Sequence, residues 1–320
     1  MKIYNKLIAL VAAFGLVGVS YAQDAGKISD NLSLAGFVDA SYSSVEGDTS
    51  ADGETEQIGI DEVEIDFLFG FGSVSAEVHV DSDGSGAGLS VEQAFATYDL
   101  GNGFSVALGK YGSSLGLERE DPAGLYTYSR AYGGTNANAL NVGNADVNVG
   151  EGIAVSYSAD DFSVRVSFED GVDQGIDDDS LDTEISVSYT GIENLTIGGG
   201  VQSGNGLDDG DTTVISGTYT AGKALIGAEF IDAENVSGGA NDADAYMLLV
   251  DYDVNDKLGV ALRYAEVDED GGVAGDYEGF TIAPNYAITE NLGAILEYTD
   301  GERAGATDVE TLAVELTLTF

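Results

Sequence analysis

Eight aromatic residues, Phe69, Tyr98, Tyr157, Tyr189, Tyr219, Tyr252, Tyr286 and Phe320, each close a segment in which apolar and polar residues alternate. From Tyr157 to Phe320 they recur every 30 to 34 residues, so the unit is a pair of strands. In "FSVRVSFED" (162 to 170), Phe162, Val164, Val166 and Phe168 share one face of a strand and Ser163, Arg165, Ser167 and Glu169 the other. Short polar turns follow the aromatics, as in "YDLGNGF" (98 to 104), "YTAGKAL" (219 to 225) and "YAITENL" (286 to 292). Longer connections rich in Asp, Glu, Gly and Asn lie between, such as "VEGDTSADGETEQ" (45 to 57) and "DGVDQGIDDDSLD" (170 to 182). Short turns at one end and long loops at the other define an up-and-down meander, for which eight hairpins give about 16 strands.

A soluble sandwich also has period-2 strands, but it has no reason to sort its loops by length or to hold aromatics at one level. A bilayer supplies both reasons, since the aromatic ring sits at the interface. The predicted fold is therefore all-β: a transmembrane up-and-down antiparallel β-barrel in a Gram-negative outer membrane. The aliphatic faces meet membrane lipid and lipopolysaccharide, and Phe320 is the last member of the periplasmic girdle. Backbone groups in hydrocarbon must all be paired, so the final strand is expected to close on the first, near residues 31 to 44.

The N-terminus fits that destination. Lys2 and Lys6 precede the apolar run 7 to 19, and Ser20-Tyr21-Ala22 supplies small residues at the cleavage positions. This pattern predicts a Sec signal peptide over residues 1–22 and the barrel over 23–320. After cleavage, 9 basic residues would face 57 acidic ones, which excludes nucleic acid as a partner. Cysteine is absent, and no cofactor or metal is expected.

If the apolar face meets lipid, the alternate face lines a lumen carrying Asp39, Glu62, Glu64, Asp66, Glu77, His79, Asp81, Asp99, Glu169, Glu184, Glu229, Asp251, Glu297 and Glu315. Only Arg165 and Arg263 oppose them from the wall. So many carboxylates require water, and about 16 strands leave room for it. A pore passing small hydrophilic solutes, with preference for cations, is the expected function. The third long loop, about 113–149, carries Arg119 and Arg130 beside Glu118, Glu120 and Asp121, together with Leu117, Leu125, Tyr126, Tyr128 and Tyr132. It is expected to fold inward, pack on the wall and set its arginines against the acids.

Two other functions are weaker. Ser-His acyl chemistry would have to use His79, the only histidine, so no enzymatic activity and no catalytic residue are expected. A structural or adhesive barrel could bind divalent cations in acidic loops and bridge to lipopolysaccharide. "EVDEDGG" (266 to 272) imitates the start of a calcium loop, but its twelfth position is Tyr277, with Glu278 one residue late.

The stretch "LAGFVDASYSS" (34 to 44), the segment "VEQAFATYDLGNGFSVALGKYGSSLGLEREDPAGLYTYSRAYG" (91 to 133) and the terminal Phe resemble the OmpL-like beta-barrel porin family, within the wider class of Gram-negative porins. The resemblance implies an outer-membrane diffusion channel, and the general porins of that class are homotrimers with a constricting third loop. It places Lys110, Glu118, Asp121, Tyr128 and Arg130 in the recurrent motif. The acidic excess departs from the family pattern.

Overall fold

The structure, a computed structural model, describes residues 26–47, 53–82, 84, 88–118, 121–132, 149–170, 181–203, 210–236, 241–270, 276–303 and 307–320. The expected signal peptide lies outside them. The first strands are β1 (Gly26–Ser29), β2 (Leu32–Glu46), β3 (Glu54–Phe71), β4 (Val74–Ser82), β5 (Ser90–Gly101) and β6 (Phe104–Gly112). Among the described residues of the third long loop is a 3-10 turn, Pro122–Gly124. Then come β7 (Val149–Ser158), β8 (Phe162–Asp170), β9 (Asp182–Ile192), β10 (Leu195–Ser203), β11 (Asp211–Ala221) and β12 (Ala224–Val236). The chain ends with β13 (Asn241–Asp253), β14 (Leu258–Glu269), β15 (Tyr277–Ala287), β16 (Leu292–Arg303) and β17 (Thr307–Thr319).

Each strand from β2 to β17 pairs antiparallel with its neighbour in sequence, and β17 pairs with β2 from Glu310↔Glu46 to Thr319↔Phe37. The result is a closed barrel of sixteen strands, as the repeat predicts, with β1 added as a short flap on the start of β2. Closure satisfies the edge groups that hydrocarbon could not. No helix among the described residues is long and apolar enough to cross a membrane.

The alternation holds through the last strand: Leu316 is 44% exposed on the outer face, whereas its neighbour Glu315 is 1% exposed on the inner one. Tyr98, Tyr189, Tyr219, Tyr252, Tyr286 and Phe320 are exposed beside the short turns. There Asn102 (φ 56°) and Asn194 (φ 62°) take the left-handed backbone that tight hairpins demand. A second outer ring, unanticipated from sequence, pairs tyrosines with glutamates near the long loops. The Tyr42 hydroxyl donates to Glu56 (2.7 Å), and that of Tyr264 to Glu266 (2.6 Å) and Glu278 (3.0 Å).

At the seam, the Gly36 and Phe320 amides exchange hydrogen bonds with each other's carbonyls at 3.1 and 3.0 Å. A side chain at Gly36 would collide with the Glu64 carbonyl and the Phe320 ring, so glycine is required where the terminal aromatic crosses β2.

The candidate channel lumen

Carboxylates predicted for the lumen stand on the inner faces. Asp39, Glu62, Glu64, Asp66, Glu77, Glu169, Glu184, Glu229, Glu297 and Glu315 are all buried inside the barrel, as are His79, Arg165 and Arg263. Asp81 and Asp251 join them. Asp99 does not: it is exposed at the β5–β6 turn, where it accepts the Gly101 amide at 2.7 Å. Lys110 also stands apart, because on β6 the inner face is Ser105, Ala107 and Tyr111. Its ammonium donates to the Val91 carbonyl on the adjacent strand (3.0 Å).

Residues 113–118 and 121–132 of the third loop contact the inner wall; Arg119 and Glu120 fall outside the described residues. The contact is apolar at its centre. Leu115, Leu117, Ala131 and Tyr132 form one cluster with Val214, Ile231, Ala245 and Met247 of β11–β13, and Tyr126 joins Leu225, Leu249 and Ile295. Such inward aliphatics look out of place on a face otherwise rich in carboxylates until the loop covers them. Burying Leu115 in this way is worth about 1.5–3 kcal/mol.

Carboxylates of the wall fasten the loop's edges. Glu184 accepts the Ser113 hydroxyl (2.5 Å) and the Ser114 amide (3.0 Å). Glu229 takes the Leu117 amide (2.6 Å) and the Tyr132 hydroxyl (2.7 Å). Glu297 takes the Tyr128 and Ser129 amides (2.7 and 3.2 Å). Four of these bonds take backbone amides that would otherwise lack acceptors, and the other two take side-chain hydroxyls.

Arg263 is the central fastener. Its guanidinium meets Glu118 Oε1 at 2.9 Å, Thr127 Oγ1 at 2.7 Å and Ser129 Oγ at 2.7 Å, and it also reaches the Ser129 and Arg130 carbonyls. Glu118 in turn accepts the Ala131 amide, and Arg130 donates to the Glu118 carbonyl. A planar fork with five donors suits this many-sided grip better than an ammonium would.

Beside the loop a cavity of about 400 Å³ is lined by Asp39, Asp61 and Glu315, by Tyr128, Ser129 and Arg130 of the loop, and by Arg303 of β16. Acids and guanidiniums therefore share one space. Asp61, Glu92 and Arg303 were not picked out from sequence. Asp61 and Glu92 arise where the pairing slips by one residue, between Asp39 and Ala40 on β2 and between His79 and Val80 on β4. Each bulge lets two consecutive residues of β3 or β5 serve the lumen, which strict alternation forbids. Arg303 follows the inward parity of Glu297 and Thr299, and that parity was a signal available in the sequence.

The calcium-loop mimic is differently engaged. Glu266 points outward and accepts the Tyr246 and Tyr264 hydroxyls. Gly271 lies outside the described residues.

No curated protein matches this sequence. Solved structures do match in fold. The outer membrane channel DcaP of Acinetobacter baumannii superposes with a TM-score of 0.71 at 15% identity, over 92% of this chain and 100% of that one. An anion-selective porin from Comamonas acidovorans gives 0.68 at 15%, over 90% and 99%. The trimer form of OmpT from Vibrio cholerae gives 0.63 at 17%, over 90% and 99%. At these identities the likeness establishes the barrel and leaves the solute open. The sequence family described as "Putative beta-barrel porin-2, OmpL-like" matches residues 54–311, most of the barrel. The chain thus belongs to the OmpL-like beta-barrel porin family, and it is a multi-pass β-barrel of the outer membrane with the fold of a porin channel.

Proposed function

We propose that the protein is a water-filled diffusion channel for small hydrophilic solutes, that it prefers cations, and that the third loop sets its width. The observation that carries this reading is the cavity between loop and wall, where Asp39, Asp61 and Glu315 share the space with Arg130 and Arg303. A passage lined by separated acids and guanidiniums carries a transverse field that orients polar solutes as they pass. The excess of inward acids over inward bases sets the sign of selectivity, although the same fold serves anions in the Comamonas protein. Glu118, Asp121, Tyr128 and Arg130 act as constriction residues in this reading, and Arg119 and Glu120 belong with them by position.

The remaining features follow from an outer-membrane life. Residues 1–22 act as the export signal. The aliphatic outer faces contact lipid, the tyrosine and glutamate ring lies at the lipopolysaccharide level, and the assembly is a homotrimer, as in the trimer form of OmpT. The family is one of porins, and a channel needs no catalytic group, so His79 is read as part of the wall rather than as a base.

Planar-bilayer recording tests the proposal. In a salt gradient the reversal potential is expected to show cations favoured, and anion selectivity would refute the preference. Deleting residues 117–132 is expected to raise single-channel conductance; unchanged conductance would refute the constriction.

A further inference from the structure

Among the inward residues of β3 and β4, three ligand-type side chains converge on one another. Glu64 Oε1 lies 3.1 Å and Asp66 Oδ1 3.3 Å from the same atom, His79 Nδ1. All three side chains are more than nine-tenths buried, at 1%, 0% and 6% exposure. Neither carboxylate oxygen of Glu64 or Asp66, nor His79 Nδ1, has a hydrogen-bond partner of acceptable geometry. One ring nitrogen carries at most one proton and can serve one acceptor, so a histidine alone leaves lone pairs crowded together in a buried place.

The register explains how they meet. Asp66 pairs directly with His79 across the β3–β4 ladder, Glu64 is two residues along on the same face, and Glu77 is two residues from His79. His79 Nε2 lies 3.3 Å from Glu77 Oε2, on the side of the ring away from the other two. A carboxylate on the remote nitrogen can keep a proton there when a cation displaces the one on Nδ1, turning that nitrogen's lone pair toward the space shared with Glu64 and Asp66.

We propose that Glu64, Asp66 and His79 form a binding site for a divalent first-row transition-metal cation of the Zn2+ type, with Glu77 as the residue that orients the imidazole. The spacing fits, because ligand atoms about 2.0–2.1 Å from a tetrahedral zinc lie about 3.3–3.4 Å from one another, close to the two contacts at Nδ1. All three ligand atoms fall within 4.8 Å of each other. The single imidazole favours a borderline cation over Ca2+ or Mg2+, which prefer all-oxygen shells. Glu62 and Asp121 gather around Glu64 within the same limit, so a carboxylate of the third loop adjoins the site. Binding requires only these side chains, and the proposal stands whether or not the barrel conducts.

The test uses the full chain, folded in detergent and stripped with a chelator, then dialysed against Zn2+ with excess Ca2+ to occupy surface carboxylates. One Zn2+ per chain is expected, and Asp66→Asn or His79→Gln should weaken its binding about a hundredfold or more. Glu266→Gln, on the outer face, should bind like the parent. X-ray absorption at the zinc edge of the parent protein should show one imidazole nitrogen among carboxylate oxygens, a readout that needs no variant to fold. Failure of the parent to retain Zn2+, equal retention by the two variants, or an edge spectrum without imidazole would each overturn the site.

Discussion

The two halves of the inner wall use the same residue types to opposite ends. From β9 to β16, Glu184, Glu229, Glu297 and Arg263 have their polar atoms taken up by loop amides, hydroxyls and carbonyls, and the aliphatics between them are covered by Leu115, Leu117 and Tyr132. On β3 and β4, Glu64, Asp66 and His79 crowd one another instead. An inward glutamate is therefore not by itself a pore charge. Where aliphatic neighbours give the loop a surface to bury, the acid becomes a fastener, whereas Glu64 and Asp66 meet the His79 ring instead.

The largest expected effect comes from breaking the fastened half at its centre. Arg263→Met leaves Glu118 buried without a cation, and removing one partner of a buried pair costs about 3–5 kcal/mol. The loop should detach, which would be seen as higher and noisier single-channel conductance. Adding Glu118→Gln should recover part of the loss, since the stranded charge is then gone; no recovery in the double variant would assign the effect to lost packing instead.

Next in size is Leu115→Ala, at about 2–5 kcal/mol of loop anchorage for a fully buried leucine. It should raise conductance in the same direction as the arginine change while leaving selectivity in place. A selectivity shift without a conductance change would mean that the apolar cluster does not hold the constriction.

A matched pair of isosteric changes sharpens the contrast directly. Glu229→Gln weakens charge-assisted bonds to the Leu117 amide and Tyr132 hydroxyl, bonds worth about 1.5–3 kcal/mol when one member is charged. In metal-free protein, Glu64→Gln removes a carboxylate crowded by Asp66 and should leave thermal stability unchanged or slightly raised. Thermal unfolding in detergent, followed by loss of heat-modifiable gel mobility, reads both. Equal destabilisation by the two would erase the distinction between the halves.

Much of this was legible from residue order, and the illegible part has specific causes. Alternation placed Glu297 and Glu315 inside and Leu316 and Leu318 outside, because a strand in a barrel has one wet and one greasy face. It missed Asp61 and Glu92, because a one-residue bulge reverses parity without any characteristic residue type. It read Arg263 as a wall charge, while the structure engages it with Glu118, a partner 145 residues away that leaves no local mark. Inward Ile231, Ala245 and Met247 were the one available hint that this half of the wall was built to be covered.

The smallest structural effect, and the sharpest functional one, is expected from two acids of the cavity wall. Asp39 and Glu315 line the cavity beside the loop, and Asp39 Oδ1 accepts a 3.2 Å bond from the Thr317 hydroxyl. Asparagine keeps that acceptor, so Asp39→Asn with Glu315→Gln should change stability by less than about 1 kcal/mol. Conductance should stay near its parent value because the volume of the passage is preserved. The reversal potential, by contrast, should move toward zero, since two fixed negative charges leave a space still lined by Arg130 and Arg303. If selectivity were unmoved while Arg263→Met altered it, the charge that sorts ions would lie on the loop rather than on the wall.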